Sequence, residues 1–187
     1  MKTKIVNMYG GPGTGKSTTA AALFAELKFR GVNCEYVQEY AKDKAWEFGT
    51  NHLGIPKVFQ AQEYIFAKQH FRFRRCAEDV DVIISDCPLF LGLIYMPSDF
   101  PIPSLRSVIR EAYDIYDNLD VLLVRSKSYN PKGRFQSEKV AKSLDIDIKN
   151  VLEAQGVQYH TIPACRSAVE SILAKMVERG WDKDLKI

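Results

Sequence analysis

Residues 10–17 read Gly-Gly-Pro-Gly-Thr-Gly-Lys-Ser and fit G-x-x-x-x-G-K-[S/T], with Gly10, Gly15, Lys16 and Ser17 at the fixed positions. Glycines let the backbone curl so that successive N–H groups point inward at an anion, and the start of a helix adds partial positive charge at the same spot. Lys16 can reach the outer phosphates of a nucleotide as a point charge, and the Ser17 hydroxyl can ligate Mg²⁺. Gly10, Gly11, Pro12, Gly13, Thr14, Gly15, Lys16, Ser17 and Thr18 are therefore the expected ATP-binding residues.

Two carboxylates follow apolar runs. Val82-Ile83-Ile84-Ser85 leads into Asp86, where a phosphate-binding-loop protein holds its Mg²⁺ through water; the other reading is an Asp that opens the turn before Pro88. Val37-Gln38-Glu39-Tyr40 ends a second run, and a carboxylate there faces the crevice beyond the strand ends. Glu39 could accept the proton of an attacking hydroxyl, which makes it the candidate general base. Alternatively it is a solvated surface residue beside Asp43 and Glu47.

Arg125 ends a third run, and Ser126 to Ser137 (SKSYNPKGRFQS) is polar and basic, the composition of a short lid over about residues 126–137. Lys127, Lys132 and Arg134 could close over the transferring phosphoryl group. Arg134 is preferred for its bidentate fork, with Arg125 assisting. The plainer reading is an exposed basic loop.

From Lys57 to Cys76, Phe59, Gln62, Phe66, Gln69 and Phe73 share one side of a helix. A Gln amide offers one donor and one acceptor to a base edge, so Gln60 and Gln62 are candidate substrate contacts, while Phe59 and Phe66 read as core. Arg72, Arg74 and Arg75, interleaved with Phe71 and Phe73, could form part of a DNA track. Successive helical positions point in different directions, so they need not form one strip.

These groups need elements to hold them. Strand-like runs at Lys4 to Tyr9, Cys34 to Gln38, Val80 to Ser85, Asp120 to Arg125 and Val157 to Thr161 alternate with helical stripes, the pattern of a mostly parallel sheet flanked by helices. The stripes are Ala20–Leu23–Phe24–Leu27, Leu105–Val108–Ile109–Ala112–Tyr116, Val140–Leu144–Ile148–Val151–Leu152 and Val169–Ile172–Leu173–Met176–Val177. The expected fold is α/β, a five-stranded parallel sheet with helices on both faces, in a single domain over 1–187. Pro-dense Met96 to Pro103 reads as a specificity loop or lid.

The chain has 187 residues, 46% hydrophobic and 26% charged, with net charge +3, an average globular composition that argues against disorder and coiled coil. Cys34, Cys76, Cys87 and Cys165 form no C-x-x-C, so neither a zinc site nor a disulfide framework is suggested. With no signal-peptide pattern or membrane-length apolar run, a cytoplasmic protein is expected. Asp86 is followed by Cys-Pro-Leu and the fourth run by Ser-Lys-Ser, so the D-x-x-G and N-K-x-D of a GTPase are missing. An oligomeric mechanochemical ATPase would usually carry a further helical domain, and a small kinase is the remaining common class.

Together these residues resemble the P-loop nucleoside and nucleotide kinases over most of the chain, with ribosylnicotinamide kinase domains and thymidylate kinases the nearest likenesses. The shared features are the GK-S/T loop, the Glu39-Tyr40 end of the second strand, the Gln-bearing helix, the strand-end Asp86 and the basic lid. The resemblance implies a P-loop NTPase fold with the loop-bearing strand central, ATP with Mg²⁺, and phosphoryl transfer to a small nucleoside or nucleotide acceptor. It leaves a homodimer open. Where thymidylate and deoxyribonucleoside kinases carry an arginine after the third strand, this chain has Asp86-Cys87-Pro88. Phage-type kinases of the superfamily phosphorylate hydroxymethyluracil in DNA, in which case the setting is the host cytoplasm. A nucleotide-binding regulatory module without transfer activity is the third reading.

Overall fold

The apolar runs become five parallel strands in the computed structural model, which describes residues 2–48, 57–130, 136–185 and 187. They are β1 (Lys4–Tyr9), β2 (Cys34–Val37), β3 (Val82–Ser85), β4 (Asp117–Val124) and β5 (Tyr159–Pro163). Their order is β2-β3-β1-β4-β5, with the loop-bearing β1 in the centre. From β1 the chain goes to the edge strand β2, returns inward to β3, and then crosses to β4 and β5 on the other side. Ligands of open parallel sheets bind beyond the carboxyl ends of the strands at such a switch point.

Eight helices cover the sheet among the described residues: α1 (Lys16–Phe29), α2 (Tyr40–Phe48), α3 (Gln62–Arg74), α4 (Leu91–Tyr95), α5 (Leu105–Asp114), α6 (Glu138–Ala154), α7 (Ala168–Glu178) and α8 (Asp182–Leu185). Alternate strand residues feed two cores. Ile5, Tyr9, Ile83 and Leu122 pack with side chains of α3 to α6, while Val6, Met8, Val82, Ile84, Val121 and Leu123 pack with α1, α7 and α8. Burial on both faces is why these strands read as unbroken apolar runs rather than alternating ones.

The sequence boundaries shift where pairing or capping decides them. β4 begins three residues early because Asp117 pairs opposite Lys4 of β1. Val157 is not strand: its N–H donates to the Leu152 carbonyl at 2.9 Å, and Gly156, at φ 65°, donates to Glu153 at 3.0 Å. That is a Schellman cap, in which the residue after the glycine packs back on the helix it ends. The buried helix faces are slightly narrower than the apolar stripes in the sequence, since Val108, Val140 and Val177 are exposed. Met96 and Phe100 are buried in the α3–α6 core, anchoring the Pro-dense segment expected to be a loop or lid.

Asp120 of β4 is buried between Asn7, whose amide donates at 3.1 Å, and Tyr113, whose hydroxyl donates at 2.7 Å. Burial pushes its carboxyl up to about 6, against the pull of those bonds. A raised native pKa means the folded protein binds the proton more tightly than the unfolded one. Stability is therefore lost as pH rises from about 4 to about 6, by roughly 2–3 kcal/mol. Urea unfolding should show Asp120→Asn gaining relative to the parent at pH 7.5 compared with pH 4. Equal differences at both pH values would remove Asp120 as the source.

Candidate active site

The loop expected to hold phosphate joins β1 to α1. Gly15, the residue before α1, takes φ 118°, in the region that disfavours side chains, and a Cβ there would stand 3.1 Å from the Ala164 methyl. The first turn of α1 has no side-chain cap and no acidic residue, so its N–H groups and dipole face outward as an anion site. Lys16 reaches back across the loop, its Nζ donating to the Gly10 carbonyl at 2.6 Å and the Gly11 carbonyl at 3.3 Å. Its charge thus lies within the curl of the loop.

Asp86 stands just beyond β3 and is buried. Its Oδ2 accepts from the Tyr36 hydroxyl at 2.8 Å, and its Oδ1 accepts from the Glu39 N–H at 3.1 Å. The carboxylate is held at two points, by Tyr36 of β2 and by the Glu39 N–H just past the end of that strand. Burial raises the Tyr36 hydroxyl pKa well above its usual value; Asp86 adds to this, and a hydrogen bond with Ser17 lowers it. Ser17, Tyr36 and Asp86 are therefore neighbours. A hydroxyl and a buried carboxylate are hard oxygen donors of the kind Mg²⁺ shares with phosphates and water. The donor set fits the cation, with Ser17 and Asp86 as the residues that would hold it.

Tyr36 orients Asp86 from behind, which makes it a positioning residue that composition and motif spacing did not single out. Tyr36→Phe should raise the Mg²⁺ concentration for half-maximal nucleotide binding by about tenfold, the usual cost of losing such a support. An unchanged Mg²⁺ titration would reduce Tyr36 to packing.

Glu39 lies between β2 and α2, half-buried. Desolvation pushes its carboxyl up from the usual range, the positive charge of Lys16 pulls it down, and Asp86 pushes it up again. Its carboxyl therefore lies within electrostatic reach of Lys16 and Asp86. Cys87 and Tyr95 belong there too. The Cys87 thiol is pushed up by burial, then by Glu39 and Asp86, and the Tyr95 hydroxyl by burial, then by Glu39, Cys87 and Asp145. Tyr95 sits at the end of α4 with no motif around it; it is 41% exposed, and α4 is seated by packing on α3, α5 and α6.

The Gln-bearing helix is committed differently from expectation. Gln62 is buried and its amide donates to the Phe59 carbonyl at 2.7 Å, within its own turn, while Gln60 is exposed. The bridging amide is Gln69, also buried: Oε1 accepts from the Tyr40 N–H at 2.8 Å and Nε2 donates to the Gln38 carbonyl at 3.3 Å. It ties α3 to the backbone on both sides of Glu39. Arg72 adds to this by donating to the Gln38 carbonyl at 3.2 Å, pairing with Asp43 and lying over the Tyr40 ring. It is thus turned inward, Phe73 is core and Phe71 is exposed, so the 71–75 segment does not form one track.

Arg125 was expected over the transferring phosphoryl group. Instead its Nε meets Asp145 Oδ2 of α6 at 2.5 Å, Nη2 meets Oδ1 at 3.2 Å, and Nη2 also donates to the Ala141 carbonyl at 3.1 Å. An arginine in a forked pair with a carboxylate is a structural tie first. Lys132 and Arg134 lie outside the described residues.

An open cavity of about 580 Å³ lies at the other end of the sheet, between Lys2, Tyr113, Asn118, Arg179 and Trp181. Its charges satisfy one another: Lys4 pairs with Asp184 and Arg179 with Asp117, each at 2.7 Å. The candidate site is the loop-bearing edge. No helix among the described residues is long and apolar enough to cross a membrane.

No curated protein matches the sequence. Solved structures share its fold. The NadR protein in complex with NR aligns with a TM-score of 0.68 at 15% identity, covering 91% of this chain and 50% of that one, so this chain spans half its length. Thymidylate kinase from Ehrlichia chaffeensis aligns with a TM-score of 0.59 at 12% identity, covering 95% of this chain and 100% of that one. Deoxyadenosine kinase from M. mycoides aligns with a TM-score of 0.55 at 15% identity, covering 93% and 98%. The five-stranded α/β sheet is thus the fold of the P-loop nucleoside and nucleotide kinases. A family model described as an AAA domain matches residues 5–170, and the chain belongs to that family.

Proposed function

We propose that the protein is an ATP- and Mg²⁺-dependent kinase that transfers the γ-phosphoryl group to a small nucleoside or nucleotide. The observation that carries this is the gathering of Lys16, Asp86 and Glu39 at one sheet edge: Asp86 takes the Glu39 N–H at 3.1 Å, and the Glu39 carboxyl feels both Lys16 and Asp86. The nucleoside and nucleotide kinases that share the fold, and the NR-bound NadR structure, support an acceptor of this kind.

In this reading the P-loop N–H groups and Lys16 would hold the triphosphate, and Ser17 and Asp86 would hold the cation. Bound Mg²⁺ would supply charge neutralisation on the phosphate oxygens. Glu39 accepts the proton of the acceptor hydroxyl as that oxygen attacks, which requires an approach of about 3 Å. Gln60 and Gln62 are proposed to border the acceptor, Gln62 through the amide oxygen left over from its bond to Phe59. Arg134 is proposed to close from the 126–137 lid onto the transferring group. Arg125 works one step back, by holding Asp145. Positioning and electrostatics supply most of the rate in such transfers.

The test is transfer of labelled γ-phosphate from ATP with Mg²⁺ to a panel of nucleosides, ribosylnicotinamide, nucleoside monophosphates and duplex DNA with or without hydroxymethyluracil. Label in a small acceptor is the expected result. Label only in modified DNA would replace the acceptor class, and no label anywhere would leave a nucleotide-binding module.

A further inference from the structure

The P-loop's second glycine makes contacts that its phosphate-binding role does not require. A Cβ on Gly11 would stand 2.6 Å from the Ala141 carbonyl, 2.7 Å from Asp145 Oδ1 and 3.0 Å from Arg125 Nη2. All three are on α6 or at the end of β4, not on the loop. The residue is small because a helix presses against it. The Gly11 N–H donates to Asp145 Oδ1 at 2.7 Å, and the Thr14 hydroxyl approaches the same oxygen at 3.4 Å while donating to the Gly11 carbonyl at 2.6 Å. Asp145 thereby receives a P-loop amide on one side and the Arg125 fork on the other.

We propose that Asp145 is a positioning residue that clasps α6 to the entrance of the P-loop, so that the anion-receiving shape of the loop depends on the seat of the helix that follows the 126–137 segment. Three elements meet at this carboxylate. β1 delivers Gly11, β4 delivers Arg125, and α6 delivers Asp145 itself, one turn beyond the Ala141 carbonyl that also receives Arg125. Charge-assisted bonds to a carboxylate are about twice as strong as neutral ones, and a part-buried N–H left without its acceptor costs more than the bond is worth. The loop entrance, the first turns of α6 and the end of β4 therefore move together or not at all. Lys16 shares in this, because its Nζ rests on the carbonyls of Gly10 and Gly11.

This inference rests on the site being a nucleotide site but not on the identity of the acceptor, so its test reads ATP binding and loop exchange rather than turnover. Asp145→Ala should speed amide hydrogen exchange across residues 10–17 and weaken ATP binding by calorimetry about tenfold, the value of one lost charge-assisted bond. Asp145→Asn keeps an oxygen for the Gly11 N–H but loses the charge and turns an amide toward the Arg125 Nε–H, so it should recover only part of that loss, a partial rescue that a general packing role would not give. Gly11→Ala, which leaves Asp145 intact but pushes α6 away, should reproduce the Asp145→Ala exchange pattern. In an Arg125→Ala background the Asp145→Ala effect should shrink. Unchanged exchange and ATP affinity in Asp145→Ala, or an Asn variant as impaired as the Ala variant, would overturn the clasp. If the wild type bound ATP tightly yet labelled no acceptor, the kinase reading would fail while the clasp remained testable by the same two measurements.

Discussion

Glu39→Gln is expected to lower kcat by about 10²–10⁴-fold, the usual contribution of a positioned general base, while ATP affinity stays within a factor of about two. The amide is nearly isosteric, and the Glu39 backbone N–H that Asp86 holds is untouched, so the metal side of the site keeps its geometry. The pH profile gives the sharper reading. Burial and the nearby Asp86 carboxylate push the Glu39 carboxyl above its ordinary range, with Lys16 opposing. A base works only when deprotonated, so wild-type kcat/KM should fall as pH falls through that raised pKa. The Gln variant should lose this acid limb along with its rate. Linkage gives an independent check. A carboxyl raised by folding costs stability above its unfolded pKa, so Glu39→Gln should unfold at equal or higher urea concentration at pH 7.5. Turnover that survived, or an acid limb that persisted, would exclude Glu39 as the base.

Asp86→Asn is the second large effect, an expected fall of about 10²–10³-fold in kcat, with a different signature. The substitution removes the only carboxylate the proposed function assigns to the cation. Asn can still accept the Glu39 N–H through its oxygen, but it turns an amide toward the Tyr36 hydroxyl that had donated at 2.8 Å. That hydroxyl must then rotate to accept. ATP binding without Mg²⁺ should match the wild type, whereas the gain on adding Mg²⁺ should largely disappear. If Mg²⁺ strengthened ATP binding equally in both proteins, Asp86 would not be a metal residue. Comparison with Tyr36→Phe separates the carboxylate from its support: the phenyl variant should still gain from Mg²⁺, at higher concentration.

The sequence by itself determined the parts governed by local rules. Gly10 to Ser17 needs only its own spacing, a strand before it and a helix after it to form an anion cradle. Asp86 and Glu39 follow from position alone, because a residue just past the end of a parallel strand must lie at the ligand edge. The five apolar runs fixed a parallel sheet, since strands buried on both faces carry no alternation to misread.

Other features depended on which element came to lie against which, and spacing along one chain does not encode that. Gln69, rather than Gln60 or Gln62, became the amide joining α3 to the Glu39 segment, because α3 packs with that turn against the end of β2. Tyr36 and Tyr95 carry no motif and enter the site only through neighbouring strands and the seat of α4. Arg125 illustrates the difference most clearly. Its place at a strand end made it a candidate for the phosphoryl group, yet Asp145, twenty residues further on, claims its fork. Gly11 reads as one more flexible loop residue until α6 lies across it. A charged or small side chain is assigned by the partner that reaches it first, and that partner is chosen by tertiary packing.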